Sequence, residues 1–208
     1  MKSCIHFIRH GITEGILNRW YYGATDMTLV QEGIDEVLGF KADNVYPLDL
    51  AEDTDFYTSG MIRAEQTLDV IYGDVQRKAI KNLSEMSFGR WECKTFDELK
   101  LEPEFDEWMN CTDNSFVFPE GDSILSFYER VEKGFDELLG LHRLKELSHR
   151  HSGKDATSVI VCHGGVISAC MERYFSGDRE NFWQWIPAPG RGFTLYIEDG
   201  EPVRYEEI

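Results

Sequence analysis

Basic residues are scarce in this sequence. Its 208 residues include 21 Lys and Arg against 38 Asp and Glu, which leaves a formal net charge of -17 at pH 7. Nucleic acids and anionic membrane surfaces are bound through basic patches, so neither is expected as a partner. An anionic small molecule would need a site that is locally positive despite the overall charge.

Long apolar runs and paired cysteines are also missing. No stretch approaches the roughly 20 apolar residues that a transmembrane helix needs, and we see no signal peptide before the first apolar segment. The cysteines contain no C-x-x-C pair and suit a reducing compartment; they are Cys4, Cys93, Cys111, Cys162 and Cys170. We therefore expect a cytoplasmic protein.

Several catalytic motifs are absent. No cysteine has an arginine six residues further on, which argues against a cysteine-based phosphatase, and no G-x-S-x-G supports an acyl hydrolase. A metal phosphatase would need carboxylate and histidine ligands. His142, His149 and His151 lie on or after a helix that we expect to be exposed, and we interpret them as solvated residues rather than ligands. No metal and no cofactor are expected.

Strand-like and helix-like segments alternate along the chain. This alternation predicts an α/β protein, a three-layer α/β/α sandwich with a mostly parallel sheet. The length fits a single domain over residues 1–208, with a small helical insertion at about 87–121. The segment around Asp199-Gly200 is typical of a hairpin turn.

Polar residues follow three of the predicted strands. Arg9-His10-Gly11 ends the first apolar strand, Thr58-Ser59 precedes Arg63, and His163 ends a later strand and is followed by two glycines. Ligands of such sheets bind beyond the carboxyl ends of the strands. Glycines let backbone amides approach a ligand closely, and amides at a helix start favour an anion.

This set of residue types suits phosphoryl transfer. Two arginine forks can neutralise a phosphomonoester, and a neutral imidazole can attack phosphorus to form a phosphohistidine. A second imidazole, in its protonated form, can stabilise charge on the phosphoryl oxygens. A carboxyl group is then needed to protonate the leaving oxygen and later to activate water.

Five sequence blocks, in order, resemble the histidine phosphatase superfamily, which includes cofactor-dependent phosphoglycerate mutase. The blocks are RHG at residues 9–11, GATDMTLVQEG at 23–33, TSGMIRAEQT at 58–67, LSEMSFGRWE at 83–92 and VCHGG at 161–165. The resemblance implies that His10 is the nucleophile and that Glu85 is the proton donor and later the base. It implies a catalytic phosphate cradle of Arg9, Arg63 and His163.

One cradle position departs from the family pattern. The family often has an asparagine seven residues after the arginine of R-H-G, where its amide helps to hold the phosphate, and this sequence has Ile16. Thr13 is the candidate that could supply a phosphate-binding hydroxyl instead.

The resemblance implies a phosphomonoesterase acting on a small phosphate ester, of the histidine-type acid phosphatases. The sequence lacks the histidine-tyrosine-glycine segment that mutases usually carry after the acid, so hydrolysis is favoured over phosphoglycerate mutase-type transfer. A non-catalytic phosphate-ester sensor on the same fold is a further alternative, although it could lose His10 or Glu85, and both are present. A homodimer is left open.

NRWYYGATD and FPEGDS resemble the alpha-ribazole phosphatase group, which makes alpha-ribazole phosphate a candidate substrate. Trp20, Tyr21 and Tyr22 either wall a pocket for a ring-bearing leaving group or pack the insertion against the sheet. Trp183 and Trp185 are expected in the core.

Overall fold

The computed structural model describes residues 2–208. In chain order its strands are β1 (Ser3–Arg9), β2 (Trp20–Tyr21), β3 (Asp55–Thr58), β4 (Arg77–Ala79), β5 (Lys94–Thr95), β6 (Ala156–Cys162), β7 (Gly192–Glu198) and β8 (Glu201–Glu207). Its α-helices are α1 (Glu14–Leu17), α2 (Gln31–Ala42), α3 (Ile62–Tyr72), α4 (Phe96–Leu99), α5 (Pro103–Asn110), α6 (Ile124–His149) and α7 (Gly164–Phe175).

Six strands form one mixed sheet in the order β4-β3-β6-β1-β7-β8. The first four strands of that order are parallel to one another, whereas β7 is antiparallel to both of its neighbours, β1 and β8. The two antiparallel strands are joined at Asp199 and Gly200, both with positive φ, as a tight hairpin requires. β3, β6 and β1 are adjacent, so their carboxyl ends open at the same edge of the sheet.

Helices cover both faces of the sheet, and β1 and β6 are therefore buried on both sides. Ile5 and Phe7 face a core that includes residues of α6 and α7. Ile8, the next residue of opposite orientation, faces a second core with residues of α2 and α3. The predicted three-layer α/β/α arrangement with a mostly parallel sheet is confirmed.

Local sequence signals account for two helix starts near the site. The Ser123 hydroxyl accepts a hydrogen bond from the Ser126 amide, and the Ser126 hydroxyl accepts one from the Ser123 amide, so Ser123 caps α6. α5 begins at Pro103, a residue whose fixed φ suits the first helical position.

The segment between the sheet and α6 has its own small aromatic core. Its buried members are Trp91, Leu99, Phe105, Phe116 and Phe118. β2 pairs with β5 in a separate two-stranded ribbon. That residues 87–121 are an insertion within a single domain stays a prediction.

Two expectations about individual side chains are wrong. His142 and His149 of α6 are buried, because this face of the long helix packs on the sheet. His142 lies between the hydroxyls of Ser3 and Ser158, at 2.8 Å from each. Trp185 is fully buried as expected, but Trp183 is 61% exposed.

None of the helices within residues 2–208 is long and apolar enough to span a membrane.

Candidate active site

His10 and His163 meet at the edge where the parallel strands end. His10 directly follows β1 and His163 directly follows its neighbour β6, so the strand pairing sets the two rings side by side. Their centroids are 5.3 Å apart, and both side chains are almost fully buried. The sequence-based expectation that these two histidines share a site agrees with this geometry.

The tautomer of His10 follows from its hydrogen bond. Nδ1 lies 2.8 Å from the carbonyl oxygen of Gly11, and since a carbonyl only accepts, Nδ1 carries the hydrogen. Nε2 then holds the lone pair, and it makes no hydrogen bond within the described residues. Burial, followed by the charges of Arg63 and Arg9, lowers the pKa of His10 well below its usual value. The ring is therefore neutral, as a nucleophile must be.

Arg63 is fully buried and its guanidinium is held by the loop before α2. Nη2 donates to the Gly23 carbonyl at 2.6 Å and Nη1 donates to the Thr25 carbonyl at 3.0 Å. Asp26 lies 3.4 Å from Nη1 and also accepts the Ile62 amide at the start of α3. A buried cation is thus paired with carbonyl dipoles and a carboxylate, as burial of a charge demands.

Glu92 fixes the loop that holds Arg63. Its carboxylate accepts hydrogen bonds from the amides of Gly23, Ala24, Thr25 and Phe88, at 2.8 to 3.1 Å. A Cβ at position 23 would lie 1.7 Å from the Met86 carbonyl oxygen, so only glycine fits there. Glu92 had no predicted role; its place in the sequence block with Glu85 was the available signal.

His163 is neutral in this arrangement, which differs from the expected protonated second imidazole. Arg63 Nε donates to His163 Nδ1 at 3.3 Å, so Nδ1 is an acceptor. Nε2 then carries the hydrogen and donates it to the Ser59 hydroxyl at 2.8 Å. Burial and the nearby arginines lower the pKa of His163 well below its usual value. Ser59, named in the sequence only as a strand exit, is therefore the residue that orients this ring.

Arg9 offers a donor without a partner. Its Nη1 donates to the Pro187 carbonyl at 2.7 Å, but its buried Nε has no hydrogen-bond partner within the described residues. An unpaired buried donor is costly unless a ligand completes it. This atom lies against Gly164, the residue after His163, because a Cβ at that position would be 3.2 Å from it. An anion is the ligand that such a donor fits.

Glu85 lies at the start of α7, the helix that directly follows His163. Its Oε2 accepts the Gly165 amide and its Oε1 accepts its neighbour's amide at Met86, both at 3.0 Å. A Cβ at Gly165 would lie 2.6 Å from Oε1, so the glycine makes this approach possible. Arg130 supports the segment by donating to the carbonyls of Ser84 and Glu85.

Thr13 is fully buried, and its hydroxyl lies 2.5 Å from the hydroxyl of Tyr22. The Tyr22 ring faces Arg63, with the guanidinium carbon 5.3 Å from the ring centroid. Ile16 lies in α1 and brings no amide to the site. The predicted phosphate-binding role of Thr13 stays a prediction, and its hydroxyl is already engaged with Tyr22.

The three consecutive aromatics do not form one wall. Trp20 lies on β2 opposite Thr95 of β5. Tyr21 packs edge-on against Phe88 and Trp108 in the aromatic core of residues 87–121, whereas Tyr22 lies in the site. That these aromatics wall a pocket for a ring-bearing leaving group stays a prediction.

An aromatic cavity of about 420 Å³ lies next to Glu85, which directly precedes one of its lining residues, Met86. Most of the other lining side chains are aromatic or aliphatic. The cavity is lined by Tyr21, Met86, Phe88, Trp108, Met109, Cys111, Asn114, Phe118, Ile124, Tyr128, Phe182 and Trp183. The exposed Trp183 is therefore part of a cavity wall.

Within residues 2–208, no group of three or more His, Cys, Asp or Glu side chains is arranged to hold a metal ion.

Comparisons with known proteins place these features in a family. The model described as "Histidine phosphatase superfamily (branch 1)" matches residues 5–204. The Adenosylcobalamin/alpha-ribazole phosphatase of Escherichia coli (strain K12) is 28% identical over 182 residues, covering 86% of this chain and 82% of that protein. The protein of the same name from Salmonella typhimurium is 26% identical over 197 residues, covering 93% and 90%.

Solved structures share the fold. The alpha-ribazole phosphatase of Shigella flexneri superimposes with a TM-score of 0.74 at 25% identity, covering 97% of this chain and 94% of that chain. The phosphoglycerate mutase of Thermus thermophilus gives a TM-score of 0.64 at 22% identity, covering 94% and 93%.

Proposed function

Because the chain belongs to the histidine phosphatase superfamily (branch 1), we propose that it hydrolyses a small phosphate monoester through a phosphohistidine formed on His10. One observation carries the proposal. A buried, neutral imidazole with an unbonded Nε2 directly follows in the chain an arginine whose buried Nε lacks a partner among the described residues. This combination provides a nucleophile and an anion site within one side chain's reach of each other.

The first step is an in-line displacement at phosphorus. His10 Nε2 attacks, the P–N bond forms, and the P–O bond to the leaving group breaks. The leaving oxygen takes a proton from the Glu85 carboxyl. Arg9 Nε and Arg63 stabilise the charge on the phosphoryl oxygens, and His163 accepts the Arg63 Nε hydrogen bond and so helps to position that guanidinium.

The second step returns the enzyme to its starting state. Glu85, now a carboxylate, takes a proton from water, and the oxygen of that water attacks phosphorus. The P–N bond breaks, inorganic phosphate forms, and His10 regains its lone pair. Only groups of this chain and water take part.

We further propose a leaving group that carries an aromatic base, of the alpha-ribazole type. The curated relatives from two species are phosphatases named for alpha-ribazole. The aromatic cavity next to Glu85 has the size and lining of a small-molecule site, and ring stacking would favour a flat base. Glu85 accepts the amide of Gly165, two residues after His163, and directly precedes Met86 of the cavity lining, which supports its role as the proton donor to the leaving oxygen.

The acid type of phosphatase is also proposed. The lowered pKa of His10 keeps the nucleophile neutral in mildly acidic solution, where an ordinary histidine would be largely protonated.

Phosphate release by wild type, His10→Ala and His151→Ala tests the reaction. The panel holds p-nitrophenyl phosphate, 3-phosphoglycerate, ribose 5-phosphate and alpha-ribazole phosphate, each with EDTA. We expect the rate of phosphate release to be at least about 1,000-fold lower in His10→Ala than in wild type, because the nucleophile is missing. His151 is exposed and serves as the matched control, with activity unchanged. Acid-labile label from a ³²P-substrate should appear on wild type and not on His10→Ala.

Each alternative has its own signature. Activity that survives in His10→Ala would overturn the phosphohistidine mechanism. Transfer of phosphate between the hydroxyls of phosphoglycerate without net release would identify a mutase. Absence of turnover by wild type on every substrate would favour the non-catalytic phosphate-ester sensor.

A further inference from the structure

The hydroxyl pair of Thr13 and Tyr22 borders the phosphate site and has no assigned role. The two oxygens are 2.5 Å apart, and one of the two hydrogens lies between them. The other hydroxyl therefore keeps its hydrogen for a different partner. Thr13 is completely buried, whereas Tyr22 is half-buried, so the phenol is the hydroxyl that can reach a ligand.

The surroundings of the phenol are those of an anion site. Its ring packs against the Arg63 guanidinium, and Arg63 Nε donates to His163, whose ring lies edge-on to that of His10. The charges of Arg63, Arg9 and Glu85 all act on this phenol, which places it among the site's charged groups. Burial raises the pKa of Tyr22, so the phenol retains its hydrogen in neutral solution.

The ring is held in place from behind by Gly15. A Cβ at position 15 would lie 2.6 Å from both Cδ1 and Cε1 of Tyr22, so the ring rests directly on the glycine backbone. The Thr13 hydroxyl fixes the phenol oxygen and the Gly15 backbone supports the ring, so the phenol is preorganised. A preorganised donor loses little entropy on binding a ligand.

We propose that Tyr22 donates a hydrogen bond to the phosphoryl group, with Thr13 orienting the phenol and not touching the phosphate itself. This inference rests on the proposed function, since it concerns the same site. It assigns Tyr22 a phosphate-binding role distinct from that of a pocket wall.

The test compares Tyr22→Phe with Thr13→Val and the control Tyr196→Phe. Tyr196 loses a hydroxyl that bonds Glu206 on the exposed hairpin, outside the site. Orthovanadate and inorganic phosphate are the probes, and their affinity is measured by calorimetry and by inhibition of p-nitrophenyl phosphate hydrolysis. Thermal unfolding of each variant reports on folding.

We expect Tyr22→Phe to bind vanadate and phosphate about 10- to 100-fold more weakly, as loss of a hydrogen bond to a charged group predicts. Thr13→Val should have a smaller effect in the same direction, and Tyr196→Phe none. Anion affinity is measured separately from turnover, and Tm reports whether a variant is folded like the wild type. If Tyr22 had only a structural role, a Tyr22→Phe variant with an unchanged Tm would bind the anions as the wild type does.

Three results would overturn the inference. Wild-type affinity in Tyr22→Phe removes the phenol as a ligand, while the proposed phosphatase function survives if wild type still turns over. A larger loss in Thr13→Val than in Tyr22→Phe makes Thr13 the ligand. Wild type that binds neither anion and releases no phosphate overturns the inference and the proposed function together.

Discussion

The imidazole of His10 shows how one side chain is prepared by its surroundings. Burial disfavours its charged form, and the guanidiniums of Arg63 and Arg9 disfavour it further, so its pKa lies well below 6.5. The Gly11 carbonyl accepts the Nδ1 hydrogen and leaves Nε2 as the nucleophilic atom. The residue thus needs neither a neighbouring base nor alkaline solution to be reactive.

The pH dependence of the rate follows from this lowered pKa. For a histidine with the ordinary pKa of about 6.5, the neutral fraction would fall about 25-fold between pH 7 and pH 5. With the pKa of His10 depressed, the neutral form persists as the pH falls through 6.5. We therefore expect kcat/KM for p-nitrophenyl phosphate, corrected for the substrate's own ionisation, to fall at pH 5 by much less than it would with such an ordinary histidine.

Stopped-time assays across pH 4–9, with histidine NMR of the free enzyme, make this measurement. The His10 resonances are identified by their absence in His10→Ala. An acid limb at pH 6.5, matched by an NMR titration of His10 there, would contradict the neutral resting state.

At the scale of elements, the loop of residues 23–26 connects two parts of the site. Its carbonyls hold Arg63, and its amides are held in turn by Glu92, which lies just beyond the Glu85 segment. Among residues 2–208, the hydrogen bonds of Glu92 go to backbone amides and not to either histidine, so it is a positioning residue. Removing it should displace the guanidinium without removing any group that touches phosphate.

Glu92→Gln tests this connection. The neutral side chain keeps its shape but replaces one acceptor oxygen by a donor, so at least some of the loop amides lose their partner. We expect kcat/KM to fall about 10- to 100-fold through misplacement of Arg63, and the free energy of unfolding to fall by on the order of 3 kcal/mol. Steady-state kinetics and urea denaturation measure the two effects.

Glu102→Gln is the matched control, because its carboxylate pairs with Lys94 on the surface of the same region. Its loss should cost less than about 1 kcal/mol and leave kcat/KM unchanged. Vanadate affinity unchanged in Glu92→Gln would show that the loop does not position Arg63.

At the scale of the whole molecule, buried histidines make folding sensitive to acid. His6 bonds the Thr194 hydroxyl within the sheet, and His142 of α6 lies between two serines. Burial, with Lys2 and then His142 as the further causes, lowers the pKa of His6 to about 4. Burial and then Lys145 lower the pKa of His142 to about 4.

The free energy of unfolding should fall as the pH decreases from 6.5 towards 4. In this range the unfolded chain binds protons at these histidines and the folded chain does not, so acid favours unfolding. The stabilisation is fully present above pH 6.5, and each histidine accounts for on the order of 3 kcal/mol of the loss. Urea denaturation at pH 7.5, 6.5, 5.5 and 4.5 measures it.

His142→Gln should flatten this pH dependence, whereas the exposed His151→Gln should leave it unchanged. Equal slopes in wild type and His142→Gln would contradict a neutral, buried His142.

The acidic net charge and the anionic substrate are compatible because they act at different distances. Arg63 is buried and Arg9 half-buried, both close to where the phosphate binds, whereas surface charges beyond about 8 Å are largely screened at physiological salt.

Much of the fold could be predicted because the determining signals are local. The apolar runs around Phe7 and Val161 are too short for buried helices and end in glycine, and the alternation of strands with helices requires a covered parallel sheet. The neighbouring positions of His10 and His163 follow from the same rule, because parallel strands end at one edge.

Three features could not be predicted, for a common physical reason. The burial of His142 depends on which face of α6 meets the sheet, and the exposure of Trp183 depends on how it lines the aromatic cavity. The neutral state of His163 depends on an arginine that lies 100 residues away in the chain. Each of these is a property of contacts between distant segments, and no local pattern encodes them.

The sequence by itself therefore determined the family, the layered architecture and the residue types of the site, since motif order and hydrophobic periodicity are properties of the chain. Only the tertiary structure decided which atoms of that site are free. In the tertiary structure the Thr13 hydroxyl bonds that of Tyr22, Glu92 bonds the amides of the loop that holds Arg63, and Arg9 Nε has no partner among the described residues. The physical reason is that most of these hydrogen-bond partners come from distant segments and meet only when the chain is packed.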